Sequence, residues 1–372
     1  MSEDRRRFAV FAPNMAGGGA ERAALQLAVG LSSRGHRVDL VLASADGPRM
    51  AEVPDDLEVV DLGARRVLTG LLPLVRYLRR ARPDAMVSVL DHANVVALWA
   101  RRLSGYPRRL AVVEQNNLSS AAGHGKSRRD RVMPRLVNLF YPWADAVVAV
   151  SEGVLKDLKQ HATAVDSERF RIIYNPIVTD HISSQAAAPV AHRWLEGGEK
   201  VFVAAGRLRP QKDFPTLLRA FALVRSRRPA RLIILGEGPD RDDLERLCAD
   251  LGIDEDVELF GYTDNPYAFF SRATAFVLSS RWEGLPTVLV EALSCGAPIV
   301  STDCPDGPRE ILAGGRYGHL VPVGDAESLA QGLEMAIEGR IARPDSESWR
   351  PYTQDAVVDD YLSLFSELGV RG

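Results

Sequence analysis

The stretch AFVLSSRWEGLPTVLVEALSCGAPIVST, residues 275–302, contains a strand, a tight turn, a helix and a second strand. Ala275 to Ser280 is a short apolar run closed by two small hydroxyl residues, which predicts a buried strand ending at its C-terminal edge. Gly284 accepts backbone angles closed to other residues, and Pro286 suits the first helical position, so a helix is expected from Pro286 to Ser294 with Gly296 as its stop. Ala297 to Thr302 then reads as the next strand. The free N–H groups at the helix start, near Thr287 and Val288, favour an anion such as a diphosphate. Glu283 sits just before this helix and Glu291 about one turn inside it. Two carboxylates so placed can accept from neighbouring hydroxyls of a ribose or a hexose, although a loop Glu and a solvated helical Glu would read the same from this segment alone.

The same alternation extends in both directions. Towards the N-terminus, strands are expected at Phe8–Pro13, Val38–Ala43, Leu57–Leu62, Ala85–Leu90, Leu110–Gln115, Ala146–Ser151 and Arg171–Pro176, with helices at Ala20–Arg34, Leu68–Arg82, Asn94–Leu103 and Glu152–His161. The run SSQAAAPVAHRWLEGGE, residues 183–199, is short on strand signals and rich in Ala, Pro and Gly, and the best linker candidate lies in it at 185–193. The pattern restarts with strands at Val201–Gly206, Arg231–Gly236, Val257–Tyr262 and, after residues 275–302, His319–Gly324, with helices between them. The expected fold is α/β: two doubly wound, parallel-sheet, Rossmann-like domains facing an interdomain cleft. The first covers residues 1–184 and the second 194–350. At 372 residues the chain exceeds a single ordinary core.

Net charge is −3 overall, but residues 1–190 hold 26 Lys+Arg against 20 Asp+Glu, and residues 191–372 hold 20 against 29. The basic excess gathers in short Arg groups: Arg76, Arg79, Arg80 and Arg82; Arg101, Arg102, Arg108 and Arg109; Lys126, Arg128, Arg129 and Arg131. With Leu71, Leu72, Leu74, Val75 and Leu78, the first group could face an anionic membrane, or belong to a packed helix with a solvated basic side. No aromatic residues interleave with the Arg groups as stacking platforms, which disfavours nucleic acid. No apolar run approaches the length of a membrane span. The opening RRRFAVFAP is too short in its apolar part for a signal peptide and reads as a first strand. The three cysteines, Cys248, Cys295 and Cys304, lack CxxC spacing, which fits a reduced, cytoplasmic protein.

Two further loops suit phosphate chemistry. Gly17, Gly18 and Gly19 follow the first strand and lead into a helix, allowing close backbone approach to an anion, although the GxGxxG spacing of a dinucleotide fingerprint is absent. In VAAGRLRPQKDFPTLLRAF, Arg207 and Lys212 lie on a strand-to-helix loop, where a planar fork and a point charge could together neutralise a leaving diphosphate.

The runs GRLRPQKDFPTLLRAF, GEGPDRDDLERL, FGYTDNPYAFF and SSRWEGLPTVLVEALSCGAPIVSTDCPDGPREIL resemble the C-terminal half of family-4 retaining glycosyltransferases of the two-Rossmann-domain GT-B architecture. GGGAER, VAVSEGVLKDL and IYNPI extend the resemblance into the first half. It implies that a C-terminal helix, about Tyr352 to Leu368, crosses back to the first domain. It also implies that Glu283 faces the donor sugar, Glu291 accepts from ribose hydroxyls, and Arg207 and Lys212 bind the donor diphosphate and stabilise its departure. By the same resemblance, Leu285, Pro286, Thr287 and Val288 cup sugar and phosphate, Tyr262 and Thr263 meet the base, and Gly17 to Gly19 close near phosphate and acceptor. Transfer with retention on the leaving-group face needs no carboxylate nucleophile.

One position departs from the family: Gln115 stands where many members carry His, and an amide holds no proton near neutral pH. His124 is a second acceptor-side candidate. The favoured reading is transfer of a hexose or N-acetylhexosamine from a nucleotide sugar, expected to be a UDP-sugar, onto a lipid-linked or lipopolysaccharide-type oligosaccharide. That activity would sit in the cytoplasm, at the cytoplasmic face of the inner membrane if the protein meets the membrane at all. The nucleotide sugar is a substrate, and no cofactor or metal is expected: no DxD stands in a suitable loop, and the cations are supplied by Arg207 and Lys212. The alternatives are a nucleotide-sugar epimerase on the same architecture and a non-catalytic glycan-binding relative.

Overall fold

The computed structural model describes residues 5–16, 18–119 and 128–370. It divides into two compact units, the first formed by residues 1–177 and 352–372, the second by 178–351.

The first unit is built on β1 (Arg7–Ala12), β2 (Arg37–Leu42), β3 (Glu58–Asp61), β4 (Ala85–Val89), β5 (Arg109–Glu114), β6 (Ala146–Ala149) and β7 (Phe170–Ile172). All neighbours pair in parallel, in the order β3-β2-β1-β4-β5-β6-β7. Strands buried on both faces read as continuous Val, Ala, Leu and Ile runs, which is why they are legible in the sequence. Helix α1 (Gly19–Ser33) follows β1, α2 (Leu71–Ala81) precedes β4, and α3 (Asp91–Ser104) follows it.

Helix α2 packs the inner part of its apolar stripe into the core, through Leu74, Val75 and Leu78, while Arg76, Arg79 and Arg80 are solvated. Only Leu72, and Leu68 in the preceding turn, remain exposed.

A helix absent from the sequence expectations, α4, spans Arg128–Phe140. Its core contacts Met133 and Val137, with Tyr141 just beyond, repeat every four residues, but Pro134 and the charged start obscure that period. Helix α5 (Glu152–His161) is capped by the Ser151 hydroxyl, which accepts from the Val154 N–H at 3.1 Å.

In the second unit, α6 (Asp180–Ala187) and α7 (Arg193–Glu196) precede a six-stranded parallel sheet. Its strands are β8 (Val201–Ala205), β9 (Arg231–Leu235), β10 (Val257–Gly261), β11 (Ala275–Leu278), β12 (Ile299–Thr302) and β13 (His319–Val321). Their order is β10-β9-β8-β11-β12-β13. The segment 185–193 is packed onto this unit. The carbonyls of Gln185 and Ala186 accept from Asn265 Nδ2 and Ser271 Oγ, both at 2.9 Å, and buried His192 meets Glu258 at 3.2 Å.

The last helix, α14 (Gln354–Glu367), belongs to the first unit and lies along α1. Arg34 pairs with Asp355 at 3.0 Å and Asp359 at 2.8 Å, and Gln354 Nε2 donates to the Gln26 carbonyl at 2.7 Å.

Candidate functional site

In a doubly wound sheet, the loops leaving two neighbouring strands part to opposite faces where the strand order reverses, and the gap between them receives ligand. In the second sheet that point lies between β8 and β11. The loop after β8 carries Arg207 and Lys212; the loop after β11 carries Glu283.

These two loops are stitched to each other. Ser279 Oγ donates to the Lys212 carbonyl at 2.7 Å, the Arg281 N–H to the Gln211 carbonyl at 2.8 Å, and Gln211 Nε2 to the Trp282 carbonyl at 2.9 Å. Arg281 also pairs with Asp213 at 3.1 Å. Asp213 holds a left-handed backbone, φ 45° and ψ 44°, unusual for a residue with a side chain, and it stands between the short turn Pro210–Lys212 and helix α8 (Phe214–Arg225). The strain is held by the Arg281 pair and by Thr216 Oγ1, which donates to Asp213 at 2.9 Å.

The stitching delivers Lys212 Nζ to Glu283 Oε1 at 2.7 Å. The Ser280 hydroxyl donates to the same oxygen at 2.6 Å. Both charged side chains are largely withdrawn from solvent, 16% exposed for Lys212 and 8% for Glu283. Two glycines make room for the arrangement. A Cβ on Gly206 (φ 154°) would stand 2.8 Å from Lys212 Cε, and one on Gly236 (φ 133°) would stand 2.1 Å from the Gly206 carbonyl oxygen. Arg207 is exposed and has no ion-pair partner among the described residues.

Helix α11 runs from Thr287 to Ser294, with Pro286 as its N-cap rather than its first helical residue. No side chain caps it, so its first N–H groups, at Thr287 and Val288, are presented to an anion. Pro286 is buried; Leu285, Thr287 and Val288 are half-buried. Glu291 lies one turn beyond Thr287 on the same helix face and is 7% exposed. The two neighbouring thiols report the local fields. Burial, and then the charge of Glu283, push Cys304 up to about 12; burial, and then Glu291, do the same to Cys295. Tyr262 is 77% exposed beyond β10, and Thr263 Oγ1 accepts from the Asn265 N–H at 3.2 Å.

The hydroxyls of Ser279 and Ser280, and the braces Gln211, Asp213 and Arg281, carry no motif of their own. The one available signal is a pair of small hydroxyl residues placed directly where an apolar strand stops.

In the first unit the order reverses between β1 and β4. Gly18 is the N-cap of α1 and Gly19 its first residue, again with no side-chain cap. Gly17 and His124 lie outside the described residues. After β4, Leu90 adopts φ 80° and ψ 137°, a strained conformation for a branched side chain. It leads into Asp91, which meets His92 Nδ1 at 2.9 Å in the first turn of α3.

Gln115 is buried in a reciprocal amide pair: its Nε2 donates to Asn175 Oδ1 at 3.0 Å, and Asn175 Nδ2 donates back to Gln115 Oε1 at 2.7 Å. Each amide retains one N–H and one lone pair outside this pair. Beside it, Glu114 is buried against the Tyr141 hydroxyl and Asn94 Nδ2, and desolvation raises its carboxyl to about 8.

Two parallel-sheet units of this kind make up the GT-B fold, which the solved neighbours share. The family model for glycosyl transferases group 1 matches residues 192–355, and that for Glycosyltransferase Family 4 matches residues 17–181. The chain belongs to this family of glycosyltransferases. It is 31% identical over 255 residues to the N-acetylgalactosamine-N,N'-diacetylbacillosaminyl-diphospho-undecaprenol 4-alpha-N-acetylgalactosaminyltransferase of Campylobacter jejuni, covering 68% of this chain and 67% of that one. It is 26% identical over 365 residues to the lipopolysaccharide core biosynthesis glycosyltransferase LpsE of Rhizobium meliloti, covering 94% and 96% of the two chains. Among solved structures, Anabaena Alr3699/HepE in complex with UDP shares the fold, with a TM-score of 0.76, 21% identity and coverage of 97% and 100%.

Proposed function

We propose that this glycosyltransferase moves a hexose or N-acetylhexosamine from a UDP-sugar to a lipid-linked or lipopolysaccharide-type oligosaccharide, with retention of anomeric configuration. The observation that carries the proposal is the Lys212–Glu283 pair beside an uncapped helix start at the switch point of the second sheet. The acceptor class is supported by the substrates named for the Campylobacter and Rhizobium relatives.

In this mechanism the diphosphate of the donor lies against the N–H groups of Thr287 and Val288, with Arg207 and Lys212 countering the charge that builds as the glycosidic C–O bond breaks. No metal is needed for that role. Glu291 accepts from the ribose hydroxyls, and Tyr262 and Thr263 flank the base. The departing phosphate oxygen takes the proton of the acceptor hydroxyl, which attacks from the same face. Glu283 serves as a positioning carboxylate. Both of its hydrogen bonds fall on Oε1, where an ammonium and a hydroxyl draw off charge and blunt it as a nucleophile, while Oε2 can accept from a donor-sugar hydroxyl.

On the acceptor side, Gln115 contacts the acceptor. Contact with an anionic membrane at the cytoplasmic face would engage Leu68 and Leu72 with the Arg residues of α2.

The test is incubation with a panel of UDP-, GDP- and ADP-sugars and an undecaprenyl-diphosphate-linked acceptor. Released nucleotide is identified by mass spectrometry and the new linkage by its NMR anomeric coupling. UDP release with an α-linked product from an α-linked donor is expected. An inverted product, or sugar isomerised without transfer, would overturn the reading.

A further inference from the structure

A cavity of about 940 Å³ in the first unit lies at the end of the sheet opposite the strand termini discussed above, where β5, β6 and β7 begin. It is lined by six arginines, Arg101, Arg102, Arg108, Arg109, Arg169 and Arg171, against four acids, Asp145, Asp166, Glu168 and Glu367. The pairing between them is uneven. Asp145 is shared by Arg101 at 2.7 Å and Arg109 at 3.4 Å, and Glu367 meets Arg171 at 3.5 Å. Asp166 Oδ1 accepts from the Glu168 N–H at 3.2 Å, and neither acid meets an arginine at ion-pair distance among the described residues, so the lining carries six positive charges against four negative.

Arg102, Arg108 and Arg169 have no carboxylate at ion-pair distance among the described residues, and they reach the cavity from three different segments. Two of them are held in place by neutral partners. Arg102 lies over the Trp143 ring at 5.2 Å, and Arg169 Nη1 donates to the carbonyls of Pro142 and Ala144, both at 2.9 Å. A carbonyl or a ring orients a guanidinium without cancelling its charge, and Arg169 retains Nε and Nη2 for a further acceptor. Guanidinium forks that line one cavity and carry net charge suit a tetrahedral oxyanion with several acceptor oxygens.

We propose that this cavity is a second anion site, distinct from the donor site, that takes a phosphate group carried by a small molecule or by a phospholipid headgroup. Trp143 and Leu368, both half-buried in the lining, give the cavity an apolar side that a headgroup would use. The site stands on the first unit alone and does not depend on the nature of the donor.

The double variant Arg102→Gln/Arg108→Gln tests it, because neither side chain donates a hydrogen bond within the described residues and the fold should survive. Arg246→Gln, exposed on the second unit, is the charge control. Two probes separate the sources: inorganic diphosphate by calorimetry with excess UDP present to fill the donor site, and flotation with phosphatidylcholine vesicles with and without phosphatidylglycerol. A loss of about fivefold per guanidinium, roughly 25-fold for the pair, is expected for whichever probe the site takes, weakening further with salt. If only the vesicle arm responds, the ligand is a headgroup; if only diphosphate responds, it is a soluble phosphate. Equal binding of both probes by wild type and double variant, or no binding of either by wild type, would overturn the proposal.

Discussion

Replacing Lys212 with Met keeps an unbranched stem over Gly206 and removes only the charge. The ammonium stands 2.7 Å from Glu283 Oε1, and its loss leaves a carboxylate 8% exposed, held by the Ser280 hydroxyl. Removing one partner of a buried pair costs about 3–5 kcal/mol, and the remaining Ser280 bond places this site at the lower end, about 3 kcal/mol. Glu283→Gln keeps an acceptor for Ser280 and leaves an ammonium on a flexible stem that can turn towards water, so its cost is about 1 kcal/mol. In the double variant neither charge is stranded, and the loss should be about 2.5 kcal/mol rather than the sum. The expected coupling is therefore about 1.5 kcal/mol, measured by urea unfolding of the wild type, both single variants and the double variant. Additivity to within about 0.5 kcal/mol would refute the claim that the two loops are fastened through this pair. In transfer assays Lys212→Met should also lose a factor on the order of 10²–10³ in turnover, the usual consequence of removing one group that stabilises developing negative charge.

Glu291→Ala should weaken UDP binding by about 10- to 100-fold through loss of charge-assisted hydrogen bonds, with calorimetry as the check. Glu114 titrates at about 8 in the folded protein against an ordinary 4.5, so the native state holds a proton that the unfolded chain has already released, and stability falls as pH rises through that window. Glu114→Gln should flatten the fall, and equal slopes for variant and wild type between these two pH values would contradict the assignment. Gln115→Ala should cost about 1–3 kcal/mol by stranding the Asn175 amide, and an unchanged urea midpoint would show that the pair contributes nothing. Cys304 is buried and its thiol pushed up to about 12, so it should resist a disulfide reagent at neutral pH until the protein unfolds.

The parallel strands were legible because each is a short apolar run closed by a turn residue, and the helix after Glu283 because Gly284 and Pro286 punctuate its start. Helix α4 was not, because Pro134 interrupts a core spacing that only Met133, Val137 and Tyr141 reveal. The segment 185–193 reads as a linker by composition, yet its backbone carbonyls and His192 are bonded within the second unit, a tertiary outcome that local propensity does not encode. At the site, the spacing of Glu283 and Glu291 points to a carboxylate pair, but the partner of Glu283 is Lys212, 71 positions earlier, brought there by the adjacency of β8 and β11. Gln115 shows the reverse. Its departure from the family pattern is visible in sequence, while its engagement with Asn175 depends on where β5 and β7 end.

The central claim is that Glu283 orients the donor sugar in a site whose nucleotide is held by other groups. Its most direct test compares wild type and Glu283→Ala for sugar transfer and, in the same preparations, for UDP affinity. The account predicts that turnover is lost while UDP affinity stays within a few-fold of wild type. Full transfer by Glu283→Ala would contradict it.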